Sequence, residues 1–224
     1  MAESDQKDKR SLSWVLQNTS REREFEVECY LSRGSFGEVY KIRRLIDDKL
    51  FALKVFQKSK RVNSECRKYE IMFRREAEVL RILKSPHVVG YHDFFESSEC
   101  IYIILEYCAG GDLKQYSESV KKHQKRKLNE EEVSAAVTAV LRGLRYLHSK
   151  MNIIHRDIKP GNVLVRKGYT GGILTVEDVC ISDFGLCAMF SSALSQTSSL
   201  KCGTDCFNSP EQIRGESYDM VGEF

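Results

Sequence analysis

The polar segment at 155–162 constrains this chain more than any other feature of its sequence. It reads His-Arg-Asp-Ile-Lys-Pro-Gly-Asn, and the triplet Asp-Phe-Gly begins 21 residues after Asn162, at Asp183. Short apolar runs near 163–165 and 179–182 predict two strands between these polar segments. Taken singly, each polar residue is explained by a turn, a salt bridge or a helix cap. Their grouping gives weight to three weaker signals earlier in the chain.

The three earlier signals lie in the first half of the sequence. The turn at 31–39 reads Leu-Ser-Arg-Gly-Ser-Phe-Gly-Glu-Val, and glycines there let the backbone approach a phosphate closely. Lys54 lies in an apolar strand-like run at 51–56, and Glu76 lies in a predicted helix at 65–84 that ends before Pro86. Alone, these features are explained by a hairpin turn, a solvated lysine and surface charge.

The second half contains a long predicted helix. Asn129 is a good N-cap, and Glu132 three residues later completes a capping-box pattern. The apolar face of this helix is predicted from helical spacing to contain Val133, Val137, Val140, Leu141, Leu144 and Leu147.

Taken in order, these segments make the chain resemble the protein kinase superfamily. The pattern is a glycine loop, a strand lysine, a helix glutamate, H-R-D-x-K-x-x-N, D-F-G and a variant of A-P-E at 209–211. The resemblance covers 25–224 and implies an α+β, bilobal fold, with a β-rich N-lobe at 25–106 and a helical C-lobe at 107–224. The segment 1–24 is predicted to be a flexible tail. A weaker resemblance to NIMA-related kinases rests on 106–113 and 209–212.

The resemblance implies the chemistry of a serine/threonine kinase, in which the γ-phosphoryl group of ATP passes to a protein hydroxyl. Asp157 would accept or orient the hydroxyl proton, and Lys159 would contact the γ-phosphate. Lys54 would hold the α- and β-phosphates, and Glu76 would orient Lys54 through an ion pair. A lysine two residues after the catalytic aspartate is the serine/threonine-kinase pattern.

The cofactors implied by the same resemblance are ATP and Mg²⁺. Asn162 and Asp183 would hold the metal through oxygen ligands. The positions that match nucleotide-binding residues are Ser32, Gly34, Gly37, Val39, Ala52, Lys54, Glu106, Cys108 and Leu164. Ser32 stands where the family has the first glycine of its loop.

Control by phosphorylation is expected in the segment 183–211, which is rich in serine and threonine. Thr197, Ser198 and Ser199 are the residues where a phosphate would order this segment through charge-assisted hydrogen bonds. Only 13 residues follow Glu211, so the C-lobe is expected to lack its last helices and to leave a surface that a partner would cover. The alternative function is a shortened module that binds ATP or a partner without turnover.

Composition bears on whether the protein binds nucleic acid, spans a membrane or is secreted. With 35 basic and 32 acidic residues the net charge is +3, which gives no support for nucleic-acid binding. No apolar stretch is long enough to span a membrane, and the first 24 residues contain no apolar signal region. Eight scattered cysteines without a C-x-x-C pair favour reduced thiols in an intracellular protein, cytoplasmic or nuclear.

Overall fold

The computed structural model describes residues 12–34, 37–58, 64–189 and 205–214, and the chain divides into two compact units. The first unit is Met1–Arg81 with Gly90–Tyr107, and the second is Ile82–Val89 with Cys108–Phe224. The division therefore follows Tyr107, one residue later than predicted, and the second unit also takes the segment Ile82–Val89.

The first unit is built on a five-stranded antiparallel sheet with the order β1-β2-β3-β5-β4. Its strands are β1 (Phe25–Gly34), β2 (Gly37–Arg44), β3 (Leu50–Gln57), β4 (Tyr91–Glu96) and β5 (Cys100–Glu106), and its helix is α1 (Ser64–Ile82). Side chains alternate between the two faces of a strand. Phe51, Leu53 and Val55 therefore share one face and join a buried apolar cluster.

The segment before β1 corrects the prediction of a flexible tail at 1–24. Ser13–Val15 form a 3₁₀ turn, and Val15 and Leu16 are 1% and 3% exposed in the same cluster as Phe25. Burying an aliphatic side chain stabilises by roughly 1.5–3 kcal/mol, so this pair holds 12–24 against the sheet. Residues 1–11 lie outside the described part of the chain.

The second unit combines helices with short strands. The helices are α2 (Leu113–Gln124), α3 (Glu130–Tyr146) and α4 (Pro210–Arg214). The strands β6 (Ile153–Ile154) and β9 (Ala188–Met189) form one pair, and β7 (Val163–Val165) and β8 (Val179–Ile181) form another. Among the described residues, no helix is long and apolar enough to cross a membrane.

Helix α3 confirms its predicted start and corrects part of its predicted buried face. The Asn129 side chain accepts from the Glu132 N–H at 2.8 Å, and the Glu132 carboxylate accepts from the Asn129 N–H at 2.9 Å. Of the predicted apolar residues, Leu144 and Leu147 are buried, whereas Val133, Val137 and Leu141 are about half exposed. The buried side contains Ala135, Ala136, Ala139, Gly143 and Leu144. Strand β8 explains why small residues lie on this side, because a Cβ at Gly143 would lie 2.7 Å from Ile181 Cδ1.

Candidate active site

The first unit contains a buried ion pair between β3 and α1. Lys54 Nζ donates to both carboxylate oxygens of Glu76, at 2.7 and 2.8 Å. Glu76 lies on the buried side of α1, one turn from Phe73, and the Lys54 ammonium lies 5.8 Å from the centre of the Phe73 ring. The lysine and the glutamate that the sequence pattern selected are therefore joined, 22 residues apart in the chain.

Two of the predicted nucleotide-binding residues share a sheet face with this lysine. Val39 on β2 lies opposite Lys54 on β3, and opposed residues of an antiparallel pair point to the same side. Ala52 precedes Lys54 by two residues on β3, so it also lies on that face. Val39 and Ala52 are half-buried. Their small, apolar side chains suit contact with an aromatic base.

The predicted glycine loop is the end of the β1–β2 hairpin. Gly34 pairs with Gly37 at the last step of the ladder, and Ser32 on β1 is exposed opposite Val39. A Cβ at Gly37 would overlap the carbonyl oxygen of Val55, so this position admits no side chain. A Cβ at Gly34 would meet nothing closer than 3.6 Å. The constraint on Gly37 is thus the close packing of β2 on β3.

Glu106 ends β5 and is tied to the segment before β4. Its peptide N–H donates to the Gly90 carbonyl at 2.8 Å, and its carboxylate accepts from the Gly90 N–H at 3.1 Å. These two bonds hold the backbone at the end of the strand, where the resemblance predicts that the nucleotide binds.

The second unit gathers the charged residues of the segment 155–162. The Oδ2 atom of Asp157 accepts from Lys159 Nζ at 2.7 Å and from Asn162 Nδ2 at 2.8 Å. Asn162 Nδ2 also donates to the backbone carbonyl of Asp157 at 2.8 Å. Asp157 and Asn162 are buried, at 5% and 6% exposed. One carboxylate is therefore held in place by a cation and an amide within six residues of chain.

His155 supports the backbone of this loop from inside the unit. Its ring Nε2 lies 2.8 Å from the carbonyl oxygen of Ser182, and its Nδ1 accepts from the Asp157 N–H at 3.3 Å. Only the tautomer with a proton on Nε2 satisfies both contacts. The ring also packs edge-on against Phe184, with centroids 4.9 Å apart.

Ser182 is a positioning residue that the sequence reasoning missed. Its N–H and its hydroxyl both donate to the carbonyl oxygen of Asn162, at 2.8 and 3.1 Å. This carbonyl precedes β7, and Ser182 directly follows β8, so the β7–β8 pairing fixes the metal-ligand candidate Asn162. The available signal was the position of Ser182 immediately before Asp183.

The remaining predicted site residues of the second unit lie on or next to its strands or outside the described residues. Asp183 follows β8 in the left-handed backbone region, with φ of 63°. Leu164 on β7 is half-buried opposite Cys180 on β8, and Cys108 is buried just after β5. The regulatory candidates Thr197, Ser198 and Ser199 lie outside the described residues, so their role stays a prediction.

Comparison with known proteins adds a family assignment to this geometry. A family model described as "Protein kinase domain" matches residues 25–222. The chain is 33% identical over 212 residues to the serine/threonine-protein kinase pakF of Dictyostelium discoideum, which covers 95% of this chain and 16% of that protein. It is 32% identical over 198 residues to rat serine/threonine-protein kinase Sgk3, covering 88% of this chain and 36% of that protein.

A plant protein kinase has a similar level of identity to the chain. The mitogen-activated protein kinase kinase SIPKK of Nicotiana tabacum is 37% identical over 199 residues, covering 87% of this chain and 49% of that protein. The chain thus spans less than half the length of these curated relatives.

Proposed function

The chain belongs to the protein kinase domain family, and from this premise we propose that it transfers the γ-phosphoryl group of ATP to serine or threonine hydroxyls of proteins. The observation that carries the proposal is the pair of donors on Asp157 Oδ2, from Lys159 and Asn162. Support for the acceptor class comes from relatives named serine/threonine-protein kinases and from the lysine two residues after Asp157.

Asp157 is the residue we assign to the acceptor hydroxyl. Phosphoryl transfer needs little covalent help from the protein, so orientation and charge placement dominate. Two donors fix one carboxylate oxygen and with it the plane of the carboxylate. A hydroxyl that donates to this group is thereby held in one direction, and its proton has an acceptor as the oxygen attacks phosphorus.

Lys54 and Lys159 are the cations we assign to the phosphates. Lys54 is held by Glu76 through two hydrogen bonds, so its ammonium has one position before the nucleotide arrives. Lys159 is 2.7 Å from Asp157, which places positive charge beside the base. Both lysines counter negative charge that would otherwise repel the incoming hydroxyl oxygen.

The residues assigned to Mg²⁺ fit a hard cation. Asn162 uses its amide nitrogen on Asp157, which leaves the amide oxygen as its acceptor end. Asp183 adds a carboxylate, and oxygen ligands of these two kinds are those that Mg²⁺ prefers. When bound, the metal supplies charge neutralisation across the phosphates.

The test is phosphorylation of a generic protein substrate by the chain with Mg-ATP, comparing the wild type with Asp157→Asn. We expect the variant to lose roughly 10²–10⁴-fold in turnover, the range for a positioned base. Asp178→Asn is the matched control, because Asp178 is also 5% exposed in the second unit, but its carboxylate accepts hydrogen bonds from Thr175 and pairs with Lys167 away from the segment 155–162. It should retain turnover.

Two outcomes would contradict the proposal. Equal incorporation by the wild type and Asp157→Asn would exclude intrinsic activity. A thermal shift on adding Mg-ATP without any turnover by the wild type would instead support a module that binds the nucleotide only.

A further inference from the structure

Two cysteine thiols lie next to each other in the interior of the second unit. The Sγ atoms of Cys108 and Cys180 are 3.9 Å apart, and the two residues are 72 positions apart in the chain. The phosphoryl transfer proposed above assigns no role to either sulfur. We propose that Cys108 and Cys180 form a reversible disulfide when the protein meets a hydroperoxide.

The backbone beside the two cysteines is already held together. The Ala109 N–H donates to the Arg166 carbonyl at 3.0 Å, and the Gly110 N–H donates to the Val165 carbonyl at 2.9 Å. On the other side, Cys180 on β8 pairs with Leu164 on β7, within the same hairpin. The segment that contains Cys108 is therefore fixed to the strand pair that contains Cys180.

The approach of these segments is unusually close. A Cβ at Gly110 would lie 2.6 Å from the Lys167 carbonyl oxygen and 2.8 Å from Val165 Cβ. A disulfide bond is about 2 Å long. The sulfurs must therefore close the remaining distance by side-chain rotation, with the backbone held near its place on both sides.

The difference in exposure indicates which of the two cysteines reacts first with the hydroperoxide. Cys108 is 8% exposed and Cys180 is 1% exposed, so a small hydroperoxide reaches Cys108 first. The sulfur of Cys108, as thiolate, attacks one peroxide oxygen and breaks the O–O bond. With hydrogen peroxide this gives a sulfenic acid on Cys108 and hydroxide, which takes up the thiol proton as water.

The second step closes the disulfide. The sulfur of Cys180 attacks the sulfenic sulfur of Cys108, the S–O bond breaks, and the leaving hydroxide takes up the Cys180 proton as a second water. In sum, two thiols and one hydrogen peroxide give one disulfide and two waters. A dithiol reductant returns the pair to its starting state by exchange.

Peptide mapping tests the proposal on the full chain. The folded protein is treated with hydrogen peroxide, acid-quenched, unfolded with N-ethylmaleimide present, and digested with a protease that cuts after Asp and Glu. Cleavage then isolates Cys108 between Glu106 and Asp112, and Cys180 between Asp178 and Asp183, so each peptide contains one cysteine. We expect a linked peptide that lacks two hydrogens and disappears after treatment with a dithiol.

Variants and an unfolded control sharpen the result. Cys180→Ala should lose the linked peptide and leave a sulfenic acid on Cys108 that dimedone traps, whereas Cys29→Ala should keep the link because Cys29 is exposed on β1 of the first unit. Protein oxidised in urea should show no preference for the 108–180 pair.

The wild-type map alone decides the question, so a variant that fails to fold leaves the test intact. Recovery of both cysteines as N-ethylmaleimide adducts while exposed thiols are oxidised would overturn the proposal. Sulfinic acid on Cys108 without a link would overturn it too. Neither readout depends on phosphoryl transfer.

Discussion

Replacing Glu76 by glutamine should destabilise the first unit far more than an ordinary loss of a salt bridge. The carboxylate and Lys54 are both buried, with side chains 1% and 6% exposed. Glutamine keeps the shape and one acceptor oxygen, but it removes the negative charge. The Lys54 ammonium then stays in the interior without the negative charge of Glu76.

The magnitude follows from the geometry. At Nζ–O distances of 2.7 and 2.8 Å, the attraction is about 6 kcal/mol with an effective dielectric constant of 20. The cost of burying Lys54 is not recovered in the variant, so most of this attraction is lost from the folded state. Measured losses for one partner of a buried pair are about 3–5 kcal/mol, and we expect that range here.

Urea unfolding followed by tryptophan fluorescence measures this loss of stability in the first unit, which contains the ion pair. Trp14 is the single tryptophan, and it packs edge-on against Tyr40 of the sheet, with centroids 6.5 Å apart. With a slope of about 2 kcal/mol per molar urea, the midpoint should fall by about 1.5–2.5 M. Lys58→Met is the matched control: its ion pair with Glu96 is partly exposed and should be worth under about 1 kcal/mol.

A double variant separates charge burial from general damage. Lys54→Met with Glu76→Leu removes both charges and should be more stable than Glu76→Gln alone, because neither buried charge of this pair remains. A midpoint for Glu76→Gln that shifts no more than that of Lys58→Met would refute the reasoning. So would a double variant that is less stable than Glu76→Gln.

Two further predictions concern the second unit. Gly143→Ala should lower the thermal midpoint by an amount equivalent to about 1–3 kcal/mol, because the new methyl group meets Ile181 Cδ1 at 2.7 Å; Gly161→Ala, where the nearest atom is 4.0 Å away, should have little effect, and equal effects would contradict the packing argument. The hydrogen bond from Arg126 holds the pKa of Glu132 below its ordinary value, so the stability from this pair is present above the unfolded pKa of about 4.3 and is lost as the pH falls through the lower folded value. Thermal melts from neutral pH to pH 3 should show this loss, and Glu132→Gln should flatten it; an identical pH profile in the variant would count against the pairing.

The candidate site shows what a sequence pattern predicts well. The family resemblance selected Lys54 and Glu76, and the structure joins them by two hydrogen bonds across elements. It also selected Asp157, Lys159 and Asn162, which meet at one carboxylate oxygen. Such residues are recognisable because the chemistry demands particular side chains in a particular order along the chain.

Helix α3 shows where periodicity fails. Both of its sides have apolar residues at helical spacing, so the pattern favoured the larger residues Val133, Val137 and Leu141. The buried side contains Ala139 and Gly143 instead, because β8 passes too close for larger side chains. The distance between two elements is a tertiary quantity, and no local period encodes it.

The prediction of a flexible tail before β1 fails for a related reason. The apolar stretch at 14–16 is diluted by charged neighbours, so composition favours a tail. Its burial depends on the sheet face that contains Phe25 and Tyr40, which is assembled from strands distant in sequence. Whether apolar residues in a charged segment are buried therefore depends on whether a sheet face is available to them, and not only on their sequence neighbours.

Ser182 and His155 reveal a further limit, because they act through the main chain. Ser182 donates to the carbonyl of Asn162, and His155 joins the carbonyl of Ser182 to the N–H of Asp157. A side-chain pattern records none of these backbone partners, since every residue has the same carbonyl and nearly every one has the same N–H. The catalytic loop and the β7–β8 pair therefore behave as one hydrogen-bonded structure. It follows that the geometry of Asp157 depends on the strand pair behind it as well as on Lys159 beside it.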